Sequence, residues 1–575
     1  MRNTLLCLFI CLAGTSFSQE FLNLDFEYEV RPSEIPKKWY IESPGYIAKM
    51  DETEKYSSER SLKITSKSPV ENQFATFTGN FPVTLAKGRR IEFIGHLKTE
   101  AITNGYAGLW WKVDGEAGVL GFDNMEKEGL TGTNDWQEVS IRMSVDNNAT
   151  ELTFGGLLTG NGTAWFDDFK IIIDGKEFED LQPRLNEPTV EELEWLKNNV
   201  YPLSTYDPTR KSDEDLEVID SLIGDAHVVG LGEVTHGSSE IFQMKHRIIK
   251  FLAEKKNFEI FSMEANMPEA YRLNDYIIEG KGNPTELIKG MHYWTWSTQE
   301  VLNMVEWMKL HNASKQQIQF TGFDIQFYDL SIKELEKNFK SNSTILDDLI
   351  AIKQLLDKTS KHHRNTRLGA ISKEDKDAIE GKISRVREAI KKLKITKDRM
   401  AWLQQNVRIV EQYVDKTIFS RGKFMAENLM WIRSQNPGSK IVIWAHNAHI
   451  QRTMHGMGNT LSDSLAKDYV SIGFTFASGT YTAMGSQGLT EYQAEEPYNG
   501  TFEKFFESID DPIFIIDLRS VKAQKPTLAK WLLEKLDFRQ VGMMKPEREF
   551  YETDLSEDYD LIVFIKNSSG SKILD

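Results

Sequence analysis

Glu233-Val-Thr-His236 ends one apolar run, and His446-Asn-Ala-His449 ends another more than two hundred residues later. An imidazole ionises close to neutral pH, so it can take a proton from water and return it to a leaving group. A carboxylate beside it fixes the tautomer and stabilises the imidazolium. His236 is therefore the candidate base. Glu233, three residues earlier, and Glu264, at the end of the run Phe258 to Ser262, are the candidate orienting acids. Lys245, Arg247, His446 and His449 are candidate donors to a developing oxyanion, with no ranking among them. His246, His292, Asp324 and Arg421 complete the set as substrate-binding candidates. Asp324 has a plainer reading as a helix cap.

Charged groups at the ends of buried strands are costly unless paired or used, and open α/β sheets bind ligands at the carboxyl ends of their strands. The runs Ala226 to Gly232 and Lys440 to Ala445 are short, apolar and β-branched, as fits buried parallel strands. After His236, the residues Ile241, Lys245, Ile248 and Leu252 share one helical face, which puts Lys245 on an apolar stripe. It either lays its stem along the core and reaches water, or points its ammonium into the crevice.

Further strand-like runs at Phe258 to Ser262, Ile318 to Gly322, Tyr469 to Phe476, Pro512 to Ile516 and Leu561 to Ile565 alternate with helical stretches. The pattern predicts an α/β domain over 190–575 with a largely parallel sheet and a helical insertion over about 331–436. The insertion's charged groups read as solvated helix faces, with a lid over the cleft as the alternative. Residues 19–178 alternate with period two and are punctuated by Gly and Asn, which predicts an all-β jelly-roll sandwich. A linker with two prolines, 179–189, follows it. The chain thus reads as multi-domain.

Arg2, the apolar run Leu5 to Ala13 and Ser16-Phe-Ser18 have the layout of a signal peptide over 1–18, so the protein is expected to be exported, to the periplasm, the cell surface or the medium. Ile10 before Cys11 argues against a lipoprotein cut. Cys7 and Cys11 are the only cysteines, so the mature chain is expected to use no thiol nucleophile and no disulfide. No later apolar run is long enough to span a membrane. A formal net charge of −17 argues against a nucleic-acid partner, which would need a basic footprint. There is no Gly-x-Ser-x-Gly elbow and no phosphate-binding glycine loop, so neither a covalent serine route nor nucleotide chemistry is supported. The Glu-x-x-His and His-x-x-His pairs hold donors that suit a divalent metal, but their spacing is not diagnostic. No ligands are assigned and no cofactor is required.

Gly232-Glu-Val-Thr-His-Gly-Ser-Ser-Glu240, Met244-Lys-His-Arg247, Ser262-Met-Glu-Ala265, Trp296-Ser-Thr-Gln-Glu-Val301, Phe323-Asp-Ile325 and Trp444-Ala-His-Asn-Ala-His449 resemble, in order and approximate spacing, blocks of the erythromycin esterase family. The resemblance covers roughly Val190 to the C-terminus. It implies hydrolysis of a macrolide lactone or another small-molecule carboxylic ester, hence macrolide resistance. The residue matching His236 would be the base, supported by those matching Glu233 and Glu264, with His446 and His449 lining the cleft. Lys245 stands where the family commonly has arginine, replacing a bidentate contact by a point charge. The segment Gly162 to Phe169 resembles the last strands of galactose-binding-like, carbohydrate-binding-module-like sandwiches, which implies a glycan partner, with Trp110 and Trp111 as candidate stacking residues, although paired aromatics in a sandwich are more often core. Two further readings follow: an esterase of acylated glycans, or a non-catalytic glycan-binding protein whose esterase-like domain has lost turnover.

Overall fold

The structure is a computed structural model. It describes residues 22–575 except 31–34, 58, 68–72, 117, 181–186, 211, 315–316, 364–370, 418–419 and 454–455. The expected signal peptide and most of the expected linker lie outside the described residues. The chain divides into two compact units, Met1–Pro183 and Arg184–Asp575.

The first unit is all-β. Its strands are β1 (Tyr40–Glu42), β2 (Tyr46–Asp51), β3 (Ser61–Ser66), β4 (Phe74–Asn80), β5 (Arg90–Gly115), β6 (Gly118–Asp123), β7 (Leu130–Ser144), β8 (Ala149–Thr159) and β9 (Asn161–Ile173). Pairing is antiparallel and continuous, in the order β1-β4-β8-β5-β9-β3-β2, with β6 and β7 also on β5. With the two-residue strand Lys176–Glu177, which pairs with β9, they belong to one ten-stranded sheet and not to two separately bonded ones. Register shifts along β5 let this single long strand bend and serve several neighbours. Period two in the sequence becomes one buried face, where Phe77, Phe93, Phe154, Phe166 and Phe169 pack around Trp39 and Trp111. Trp110 is 9% exposed and Trp111 0%, so neither can offer a ring face to a sugar. Both are core, the plainer of the two sequence readings, and the stacking alternative is corrected.

The second unit is mixed α/β. Its sheet contains β10 (Val200–Pro202), β11 (Val228–Leu231), β12 (Phe258–Asn266), β13 (Gln319–Asp324), β14 (Lys440–Trp444), β15 (Tyr469–Gly485), β16 (Gly488–Gln493), β17 (Ile513–Asp517) and β18 (Leu561–Ser568). The order is β10-β17-β18-β15-β11-β14-β12-β13, with β16 on β15. Five pairings are parallel, from β18 across to β13. β10, β17 and β16 run antiparallel to their partners, so the sheet is mixed. The β-branched runs are buried on both faces, as their composition requires.

From β11 the chain crosses over to β12 and β13, returns to place β14 between β11 and β12, then moves to the other side for β15. That reversal makes a topological switch point at the carboxyl ends of β11, β14 and β12, the place where such sheets bind ligands. Gly232 and Gly237 frame the first of these ends. A Cβ on Gly232 would lie 2.1 Å from Oδ1 of Asn447, and one on Gly237 would lie 1.9 Å from the carbonyl oxygen of Thr482. Only glycine allows the loop 232–237 to sit this close to both neighbours.

Helices α1 (Ser239–Lys256), α2 (Met267–Glu279) and α3 (Gln299–Asn312) pack on the sheet. The insertion consists of α4 (Asp329–Glu336), α5 (Ser343–His363), α6 (Lys373–Lys391), α7 (Lys397–Asp415) and α8 (Arg421–Gln435). The first four build their own small core from Ile332, Leu349, Ile383, Val386 and Val407. α8 returns to the sheet, burying Met425, Ala426, Leu429 and Ile432 in the main core.

Candidate active site

The Ser238 hydroxyl caps α1 by accepting from the Ile241 N–H. Its buried stripe Ile241, Lys245, Ile248 and Leu252 then follows helical spacing. Lys245 on that stripe is 0% exposed, so its stem does not run out to water. Its ammonium instead pairs with Glu233 Oε2, approaches the Ala445 carbonyl at 3.4 Å and lies 4.2 Å above the Trp444 ring. Burial lowers its pKa to about 8, against the pull of Glu233 and Glu264 that favours the charge.

The other oxygen of Glu233 meets His236 Nδ1 at 2.8 Å. Glu233 is 0% exposed and His236 11%. Paired with a carboxylate, Nδ1 carries the proton, which leaves the Nε2 lone pair available. Nε2 has no hydrogen-bond partner among the described residues. The Trp296 ring stands edge-on 5.6 Å away and the His446 ring lies at 5.1 Å.

His446 is held differently. The Ala448 N–H donates to Nδ1 at 3.2 Å, while Nε2 donates to the carbonyls of Val541 at 2.9 Å and Val234 at 3.2 Å. Burial, with the neighbouring imidazoles, pushes its pKa down to about 4, so the ring is neutral and all its polar atoms are used by the backbone. It caps a four-residue helix, Asn447–Ile450, and pins the 234–236 loop to the segment after Arg539.

Glu264 ties the second half together. One oxygen accepts the His446 N–H at 2.9 Å. The other lies 2.9 Å from the Arg421 guanidinium and 3.1 Å from His449 Nε2. Burial alone would raise its pKa, but the neighbouring His449, Arg421 and His236 side chains hold it well below the usual carboxylate range. Arg421, in the first turn of α8, also clasps Asp324 with two bonds of 3.1 and 2.7 Å and reaches His449 Nε2 at 3.2 Å. Neutral, His449 accepts from Arg421; protonated, it donates to Glu264. Asp324 also accepts the Ile325 N–H at 2.8 Å.

Eight of the sequence candidates thus form one connected network: Glu233, His236, Lys245, Glu264, Asp324, Arg421, His446 and His449. His292 is not bonded to it; it lies 3.6 Å from Glu269, with its ring centroid 4.4 Å from that of Phe327 at a tilt of 45°. His246 and Arg247 are not brought there. His246 faces Trp307, and Arg247 is sealed against Asp215 and the Thr205 carbonyl. Sequence reasoning missed the Val541 carbonyl and assigned no role to Trp296. The first carries no residue-type signal, and the second is a ring like any core tryptophan. No group of three or more His, Cys, Asp or Glu with metal-holding geometry occurs among the described residues.

The erythromycin esterase family model matches residues 253–568, more than half of the chain. The match includes Glu264, Asp324, Arg421, His446 and His449 and begins beyond His236. Erythromycin esterase type II of Escherichia coli is 24% identical over 66% of this chain and 99% of its own length. A crystal structure described as a succinoglycan biosynthesis protein is 27% identical, covers 67% of this chain and 98% of its own, and has a TM-score of 0.57. A mutant erythromycin esterase in its open conformation has the same fold at 18% identity, covering 64% of this chain and 98% of its own, with a TM-score of 0.51.

Proposed function

The chain belongs to the erythromycin esterase family, and on that premise we propose that it is an exported carboxylic ester hydrolase, with a macrolactone or another small-molecule ester as substrate. His236 is the base. Its Nδ1 proton is held by Glu233, and Nε2 removes a proton from water as the water oxygen adds to the ester carbonyl. The imidazolium then returns the proton to the alkoxide as the carbon–oxygen bond breaks. The products are an acid and an alcohol, or a ring-opened hydroxy acid from a lactone. Arg421 and His449, each about a quarter exposed, are the cationic and imidazole groups that face the tetrahedral oxyanion. Glu264 and Asp324 orient Arg421, and Lys245 orients Glu233. His446 fixes the loop that carries His236, so its role is positioning.

The observation that carries this reading is an imidazole with one nitrogen on a buried carboxylate and the other without a protein partner, at the carboxyl end of a sheet. An ester borne on a glycan is the second reading, favoured by the likeness to a succinoglycan biosynthesis protein. The first unit then serves as a glycan-binding domain. The test is a panel of aryl esters and erythromycin, with and without chelator, followed by mass analysis for a gain of one water. His236→Ala is expected to abolish turnover with the melting temperature unchanged. Turnover that survives this substitution rejects the base assignment, and survival of all esters intact rejects the function.

A further inference from the structure

In the first unit, burial of Trp110 and Trp111 removes the stacking residues that the sequence suggested, yet one exposed ring, Tyr56, and one half-buried ring, Trp136, meet on the far face of the sheet. Tyr56, in the connection between β2 and β3, is 48% exposed. One face of its ring lies flat on His96 of β5, with centroids 3.6 Å apart and planes 10° from parallel. Trp136 of β7 stands 6.0 Å away at 60°, so the two rings form a corner.

The corner is supported from below. Asp167, 0% exposed, accepts the Tyr56 N–H at 2.7 Å and the Ser57 N–H at 3.0 Å. His96, beneath the tyrosine, lies 3.3 Å from Asp168 and 3.8 Å from Glu138. An isolated exposed aromatic needs no explanation. Here a buried carboxylate fixes the backbone through two bonds and an imidazole is stacked on the ring, so little rotamer freedom is left to lose on binding.

From this geometry we infer that Tyr56 and Trp136 form a binding site for a neutral saccharide chain. A pyranose ring presents C–H groups on its faces, which an aromatic face attracts, and hydroxyls at its edge, which carboxylates and ammonium groups bind. Glu54, Asp135 and Glu138 lie at the rim with Lys98, which bonds Glu54 at 2.7 Å and lies 3.8 Å from Asp135. Acidic groups outnumber cations there, so a polyuronate or sulfated polymer is repelled and a neutral one is not. The site is independent of the hydrolytic chemistry.

The test is electrophoresis of the full chain through native gels containing hydroxyethylcellulose, mixed-linkage glucan, xylan or galactomannan, with polygalacturonate as the acidic comparison. At least one neutral polymer is expected to retard the protein, and polygalacturonate is not. Tyr56→Ala and Trp136→Ala should each weaken retardation by about tenfold in affinity, the scale of one lost stacking contact. Tyr56→Phe, which keeps the ring, should bind as the parent does, and unchanged far-ultraviolet circular dichroism shows that the alanine variants are folded. Failure of every neutral polymer to bind, equal binding by the alanine variants, or preference for polygalacturonate overturns the inference. Because the readout is mobility, none of these outcomes depends on whether the second unit hydrolyses esters.

Discussion

Glu233 serves two partners at once, and its burial makes each of them necessary. Its carboxylate is charged and without solvent, so Lys245 supplies the compensating charge while His236 takes the orienting bond. Removing the lysine as Lys245→Met leaves an unpaired buried charge, a loss of about 3 to 5 kcal/mol measurable by denaturant unfolding. The ammonium also titrates. Its pKa falls from 10.5 to about 8 chiefly through burial, so between those values the unfolded chain binds a proton that the folded chain does not. The contribution of this group to stability therefore rises with pH across that window. Activity should move the other way. As Lys245 discharges near pH 8, Glu233 loses its charge partner and kcat/KM is expected to fall, giving an alkaline limb. Lys245→Arg keeps its charge at any such pH and should abolish that limb. A limb that persists in the arginine variant would show that another group titrates there. The sequence placed Lys245 on an apolar stripe and left two destinations for its ammonium. The structure excludes the first, because the ammonium is buried on the Glu233 carboxylate, a depth that periodicity does not encode.

At the scale of elements, the strand ends were readable because burial and charge conflict there. Glu233, Glu264 and His446 each close an apolar run, and the topology brings those ends together. What the spacing could not show is direction. His446 and His449 look like a matched pair three residues apart, yet one imidazole turns to backbone carbonyls and the other to the cleft. The insertion was legible as charged helices, but only the fold shows that its last helix returns to the sheet and delivers Arg421. Its guanidinium bonds Asp324, Glu264 and His449 at once, a fork that an ammonium cannot copy. Arg421→Lys is expected to keep the charge and lose the geometry, cutting kcat/KM by about a hundredfold, the scale of a small misplacement of reacting groups. Steady-state kinetics with unchanged circular dichroism checks this. A variant within twofold of the parent would place Arg421 outside the chemistry.

Among the described residues, the buried side chains of each unit form clusters of their own. One aromatic-rich cluster draws only on residues between Leu22 and Ile173. The clusters of the sheet and of the helical insertion draw only on residues from Leu196 onward. Every group in the candidate network belongs to the second unit, so a cut at the boundary between Pro183 and Arg184 leaves all of them on one fragment. Residues 184–575 produced alone should unfold in one cooperative transition and hydrolyse a small soluble aryl ester with the kcat/KM of the full chain. With an ester attached to a polymer that the Tyr56 and Trp136 corner retains, the comparison changes. The full chain then gains from a second attachment point, because binding by one unit raises the concentration of the ester at the other. The truncated chain should lose that advantage, and Tyr56→Ala in the full chain should lose it equally. Equal rates for all three proteins on the polymer would mean that the two units act without regard to each other. Loss of the small-ester rate on truncation would mean that the second unit needs the first to hold its site in shape.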